Sequence, residues 1–229
     1  MTDSHRLDLQ MEYWNRMGPT KACAHPVNVE RLREWAPPGC RILDYGCGFG
    51  RALGILHVNG YRDLIGVDPA HAMIAAARQN HPSISFDVLN DYRRTNLPDE
   101  SVDAVLLFTV LTCVPTDDGQ RAIIAEITRL LRIGGVLYIS DMWLQNDRRN
   151  VERYVEGEKK YGTYGMFDLS EGVTVRHHDP AWIDALTRDY DLLALEDIPV
   201  HTMNGHAATA FQWFGRKTRT SRLDIQPSH

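Results

Sequence analysis

From about residue 41 onward, short apolar runs alternate with longer stretches of mixed character. The apolar runs at residues 41–45, 64–67, 84–89, 102–109 and 136–140 are bounded by turn residues and predict strands. Between them, residues 51–58, 70–79 and 117–132 carry helix spacing. In the last of these, Ile123, Ile124, Ile127, Leu130 and Leu131 fall on one face, and Gly134-Gly135 ends the helix. Strands alternating with helices in this way predict an α/β fold: a doubly wound, mostly parallel sheet covered on both faces.

The rhythm breaks after Asp141. Residues 142–179, rich in charge and tyrosine, read as an insertion after the fifth strand that covers the sheet's open end. A helix near 180–188 and strands near 192–199 and 207–216 follow. The 201–205 link is too short for a crossover helix, so these two strands form an antiparallel hairpin, giving seven strands of which one is antiparallel. Pro37-Pro38-Gly39 separates the main domain, 37–217, from an N-terminal segment, 1–36, which carries Tyr13 and Trp14 and a break at Gly18-Pro19. Residues 218–229 have the composition of a disordered tail.

Composition narrows the classes. With 229 residues and 43% hydrophobic content the chain can bury one sizeable core. A net charge of −5 with dispersed Lys and Arg offers no footprint for nucleic acid. Cys23, Cys40, Cys47 and Cys113 form no C-x-x-C pair, which argues against zinc and against a disulfide framework and fits a cytoplasmic location. The first ten residues lack an apolar signal core, and the longest apolar run, 104–114, is too short to span a bilayer.

The strongest candidate for chemistry is Asp44-Tyr45-Gly46-Cys47-Gly48-Phe49-Gly50, where an apolar strand meets a loop with Gly at every second position. Such a loop lets backbone N–H groups approach a ligand without Cβ interference. The dinucleotide fingerprint G-x-G-x-x-G fails, because Arg51 stands at its sixth position. An acidic residue two places before the first Gly suits a ligand bearing an ammonium group. Asp68 ends the second strand, where a carboxylate can take both hydroxyls of a ribose.

Several motifs in order resemble those of class I S-adenosylmethionine-dependent methyltransferases, over about residues 41–217. They are Leu43-Asp44-Tyr45-Gly46-Cys47-Gly48-Phe49-Gly50, then Gly66-Val67-Asp68-Pro69-Ala70-His71-Ala72-Met73. Leu97-Pro98, Val102-Asp103-Ala104-Val105 and Glu126 to Gly135 follow. The resemblance implies a Rossmann-like methyltransferase fold with S-adenosyl-L-methionine as cofactor. Asp44 and the loop at Gly46, Cys47, Gly48 and Gly50 would meet the methionyl end, with Asp44 opposing its ammonium directly or through water. Asp68 and Pro69 would hold the ribose. Asn90 or Asp91 would face the adenine amino group, with Tyr92 or Met73 against the ring, and Phe108 and Thr109 would line the sulfonium region. The chain departs from the family pattern at Cys113, where His is common, at Ile133 before Gly-Gly, and at Ala70 in place of Ser.

The N-terminal segment in relatives folds over the cofactor, which puts Tyr13 at the site. The insertion supplies Tyr161, Gly162, Tyr164, Gly165 and Phe167, aromatics beside Gly that suggest a mobile cover. Tyr161, Tyr164 and His177 are the catalytic candidates, with His178, His201 and His206 as further histidines near the open end. No metal-ligand spacing occurs, so no metal is expected. The expected activity is methyl transfer to a small metabolite, of a kind met in secondary metabolism, without nucleic-acid or membrane partners. Residues 13–19, Tyr-Trp-Asn-Arg-Met-Gly-Pro, with the Tyr-rich cover, also resemble methyltransferase-like cyclases that form azetidine-2-carboxylate and methylthioadenosine. A non-catalytic cofactor-binding subunit is the third expectation.

Overall fold

The computed structural model describes Asp8 and residues 10–17, 25–202 and 204–218. The expected break at Gly18-Pro19, Cys23 and the tail from residue 219 lie outside the described residues. Two short helices lead in, α1 (Met11–Met17) and α2 (Val29–Trp35). Asn28 caps the second, its side chain accepting from the Arg31 N–H at 3.0 Å.

The alternating region then runs β1 (Ile42–Tyr45), α3 (Arg51–Val58), β2 (Leu64–Asp68), α4 (His71–Asn80), β3 (Ser85–Val88), β4 (Val102–Phe108), α5 (Asp117–Leu130) and β5 (Leu131–Met142). A 3₁₀ turn, Leu111–Cys113, precedes α5. An insertion follows, made of α6 (Arg148–Tyr161) and the antiparallel pair β6 (Met166–Asp168) and β7 (Thr174–Arg176). The chain returns through α7 (Pro180–Leu186) to β8 (Tyr190–His201) and β9 (Ala207–Lys217).

Seven strands make one sheet in the order β3-β2-β1-β4-β5-β9-β8. The pairs among β1 to β5 are parallel, and β9 runs antiparallel to both neighbours, as the 201–205 link predicts. Alternation along the central strands builds two cores. Leu43, Val105 and Leu107 face one with α5 and α7, while Ile42, Ala104 and Leu106 face the other with α2, α3 and α4.

Two expectations shift. The helix 117–132 stops at Leu130, and β5 starts at Leu131 rather than Val136, so Gly134-Gly135 lie inside the strand. The cause is a bend there. Gly134 sits at φ +80, a Cβ on Gly135 would press on the carbonyls of Arg132 and Asp103, and the β4–β5 register slips between Val102 and Ala104. The insertion is also more regular than its sequence suggests. Asp147 caps a 14-residue helix, and Gly162 at φ +75 ends it.

The insertion and the N-terminal segment share a small core of their own, Tyr13, Tyr154, Phe167, Val173 and Val175. Gln10 ties the two, its side-chain amide pairing with both the N–H and the C=O of Thr174 at 2.6 and 2.7 Å. Among the described residues no helix is long and apolar enough to cross a membrane.

Candidate active site

Strand order reverses at β1, whose neighbours β2 and β4 continue in opposite directions, and a crevice opens at the carboxyl ends of these strands. Its cavity measures about 490 Å³, within the range of small-molecule sites. The loop after β1 forms one wall. Gly46 takes φ +78, and a Cβ there would collide with Val110 of the loop after β4, so the two loops close together only because the residue is Gly. The N–H groups of Gly46 and Cys47 both donate to the Val67 carbonyl, at 2.8 and 3.0 Å, which pins the turn against β2.

Asp44 and Asp68 stand on either side of this loop. Asp44 is buried and accepts no hydrogen bond among the described residues; burial, reinforced by nearby Asp68 and opposed by Arg51, pushes its carboxyl up to about 7. An ionised carboxylate left in that state is costly, so Asp44 is eased either by taking a proton or by a facing cation. Asp68 is raised to about 6 by burial, against which the N–H groups of Ala70 and Gly48 donate to its two oxygens at 2.8 and 3.0 Å. Each oxygen keeps a second acceptor position, which suits a pair of vicinal hydroxyls.

A chain of hydrogen bonds spans the site from floor to lid. The Tyr45 hydroxyl donates to the Tyr92 carbonyl at 2.5 Å, the Tyr92 hydroxyl to Asp8 at 2.8 Å, and Asp8 also accepts from the N–H and hydroxyl of Thr116 at 3.1 and 2.6 Å. On the same side Asn15 of α1 accepts from the Ala72 N–H at 3.0 Å, next to Met73. Thr109, at the end of β4, is held at φ +55 by bonds to Ser140 and Phe108, backbone strain located at the cavity.

Of the residues expected from sequence, Asp44, Gly46, Cys47, Gly48, Asp68, Pro69, Met73, Tyr92, Phe108, Thr109 and His177 line this cavity. Gly50 stands just behind as the N-cap of α3, with a Cβ excluded by Phe86 and His81. Tyr13 lies in the cover's own core, and its neighbour Trp14 reaches the cavity instead. Asn90 and Asp91 do not line it. They border a separate hollow with Asp87 and Arg94, and Asp91 is paired with Arg93 at 2.9 Å. Leu89 and Tyr92 face the cavity from that loop; Leu89, just past the end of β3, is buried, while Asn90 is exposed.

Tyr161 and Tyr164 also lie outside the cavity lining. The Tyr161 hydroxyl donates to Asp168 at 2.5 Å, and Tyr164 packs its edge on Tyr154. His177 reaches the cavity, but burial, helped by Arg153 and Arg149, lowers its imidazole to about 3. The Tyr154 hydroxyl accepts from the Gln145 N–H at 3.2 Å and lies 2.6 Å from His177 Nδ1. Burial, with Asp44 and Asp68, pushes the Cys47 thiol well up, so no thiolate forms there. His178 is buried against Gln120 away from the cavity, while His201 and His206 line it from the β8–β9 hairpin.

Sequence reasoning missed His25, Arg51, Arg149 and Arg153, which also line the cavity. His25 bonds Ser140 Oγ at 2.9 Å and is lowered to about 4, chiefly by burial and then by Arg51, which itself donates to the His25 carbonyl at 2.6 Å. The two arginines of the insertion sit four residues apart, a signal visible only once 148–161 is known to be helical. Among the described residues no group of three or more His, Cys, Asp or Glu is placed to hold a metal ion.

Residues 43–139 match the family model described as "Methyltransferase domain". That match is confined to this stretch, somewhat less than half of the chain. The domain carries β1 to most of β5, and with them Asp44, the Gly loop and Asp68. An arsenite methyltransferase of Aquipseudomonas alcaligenes is 31% identical over 137 residues, 54% of this chain and 38% of that protein. A ubiquinone biosynthesis O-methyltransferase of Xanthomonas campestris is 30% identical over 141 residues, 58% of this chain and 57% of that protein. The chain thus spans about half the length of these curated relatives or less. A solved SAM-dependent methyltransferase from Methanosarcina mazei superposes with a TM-score of 0.78 at 21% identity, covering 85% of this chain and 99% of that one, a likeness of fold that extends beyond the methyltransferase domain.

Proposed function

We propose that this protein binds S-adenosylmethionine in the β1–β4 crevice and transfers its methyl group to a small-molecule metabolite. The observation that carries the reading is Asp44, a buried carboxyl without a hydrogen bond, set across the Gly loop from Asp68. Asp44 opposes the methionyl ammonium, the loop from Gly46 meets its carboxylate, and Asp68 takes the ribose hydroxyls. Leu89 and Tyr92 flank the adenine, in place of Asn90 or Asp91, and Phe108, Thr109 and Val110 border the sulfonium.

S-adenosylmethionine supplies a methyl group already activated on sulfur, so no side-chain nucleophile is required. The residues act by holding both partners in line and excluding water. Trp14, the β6–β7 pair and the β8–β9 hairpin close the cavity, and Val114, Ile123, Met142 and Phe167 give it an apolar lining. That enclosure favours a small acceptor. His177, lowered to about 3 chiefly by burial, is too weak a base to drive proton removal.

One observation favours a second reading. A buried carboxyl raised to about 7 can accept a proton from a facing ammonium, and a neutral amine is what formation of azetidine-2-carboxylate and methylthioadenosine needs. Incubation with S-adenosylmethionine alone, followed by mass spectrometry, separates the two. Methylthioadenosine without an acceptor supports cyclisation and overturns methyl transfer. Adenosylhomocysteine appearing only when a metabolite extract is added supports methyl transfer.

A further inference from the structure

We propose that Arg149 and Arg153 form a carboxylate-binding subsite on the cover wall, so that the methyl acceptor is an organic anion with an apolar body. The proposal rests on the methyl-transfer reading of the cavity and names the acceptor class for it.

Both arginines line the cavity and lie one helical turn apart on α6, so their guanidiniums share a face. Arg148, on another face of the helix, is paired with Glu152 at 2.6 Å. Neither Arg149 nor Arg153 forms an ion pair among the described residues. The Arg153 guanidinium is stacked on the Phe167 ring at 3.5 Å, and its Nε is shielded from solvent without a hydrogen-bond partner. Like charges at this spacing repel, and the single carboxylate of Asp147, whose charge is felt at both arginines, offsets only one of them. Burial, the largest influence, draws Arg153 below the usual arginine range.

The acidic groups nearby are already engaged. Asp168 accepts from Lys160, Tyr161 and Thr174, and Asp147 caps α6 through Asn150. His177, the remaining titratable group on this wall, is neutral, and Tyr154 beside it is protonated, its pKa raised by burial. The wall therefore carries two positive charges against the one Asp147 carboxylate, beside apolar surface from Phe167, Leu169 and Val175. A carboxylate fits the planar guanidinium fork through paired hydrogen bonds, and the adjoining apolar surface fits an aryl or alkyl body. The methionyl carboxylate has Arg51 closer to hand, since it is Arg51 whose charge is felt at Asp44.

The test uses the full chain saturated with S-adenosylhomocysteine and isothermal titration with matched pairs: 4-hydroxybenzoate against 4-hydroxybenzamide, and 4-hydroxyphenylacetate and octanoate against their amides. At least one carboxylate is expected to bind about tenfold or more tightly than its amide, and the Arg149→Gln/Arg153→Gln double variant to lose that preference. Arg148→Gln keeps it, and Arg153→Lys in the single variant restores part of the affinity lost in Arg153→Gln. Adenosylhomocysteine affinity in the double variant stays within about threefold of the parent, which also reports an intact fold. Equal binding of acids and amides, no binding of any acid, tighter binding of phenyl phosphate than of 4-hydroxybenzoate, or a double variant that keeps the preference would each overturn the subsite. Loss of adenosylhomocysteine binding in a double variant whose circular dichroism and melting match the parent would also overturn it, by assigning the arginines to the cofactor. Failure of the parent protein to bind adenosylhomocysteine sinks the methyl-transfer reading instead.

Discussion

Replacing Asp44 by Asn keeps the shape of the side chain and removes its ability to ionise. At about 1.4 kcal/mol per pH unit, a rise from 3.8 to about 7 places a penalty of about 4 kcal/mol on the ionised form in the folded protein. The sign follows from the raised value. Below about pH 4 Asp44 is protonated in folded and unfolded chains alike and costs nothing. As pH climbs, the unfolded chain ionises freely while the folded one resists, so stability drains away until about pH 7 and then levels. Asp44→Asn does not pay that penalty. Without ligand it is expected to be as stable as the parent near pH 4 and more stable by about 2–4 kcal/mol near pH 8. Urea denaturation across that range measures the difference. Calorimetry at about pH 8 should show the reverse for adenosylhomocysteine, with affinity falling about thirtyfold or more as a charge-assisted bond is lost. A variant destabilised equally at all pH values, or one that binds adenosylhomocysteine like the parent, would refute the placement of a cation at Asp44.

Gly46→Ala forces a Cβ into Val110 at a positive φ and is expected to cost about 1–3 kcal/mol by urea denaturation, with weaker adenosylhomocysteine binding by calorimetry. Tyr92→Phe removes one of the bonds that hold Asp8 and should loosen the N-terminal segment by about 1 kcal/mol, seen as faster amide exchange in residues 10–17. Gly157→Ala drives a methyl into the Met166 carbonyl of β6 and should detach the cover. Adenosylhomocysteine binding then survives in calorimetry while turnover in the metabolite assay falls about tenfold or more.

The sheet and its first loop were legible because each depends on local pattern: apolar runs for β1, β2 and β4, and Gly where the turn needs positive φ. The insertion was not, since α6 buries little beyond Asn150, Tyr154 and Gly157 and its core is shared with α1, more than a hundred residues away in sequence. With the helix unread, the shared face of Arg149 and Arg153 stayed hidden. Gly162 beside Tyr161, expected in a mobile cover, is a helix C-cap. The expectation of Asn90 or Asp91 depended on which way the chain faces as it leaves β3, and a one-residue change there exchanges inside for outside. His177 was legible as a cavity residue, but its protonation depends on Tyr154 and the two arginines, which only the folded arrangement brings to it.

Gln10 carries a consequence for turnover. Its amide occupies both the donor and the acceptor of Thr174, as a neighbouring strand would, and also reaches the Cys113 carbonyl at 3.4 Å. Lifting the β6–β7 pair alone would strand the Thr174 N–H and C=O at about 1–3 kcal/mol each, which couples its movement to that of the N-terminal segment. On the proposed methyl-transfer reading, both products are expected to leave in one gating event rather than by separate doors. In a pre-steady-state experiment their dissociation would share one rate constant, and Gln10→Ala, by letting the two pieces part, would split it into two.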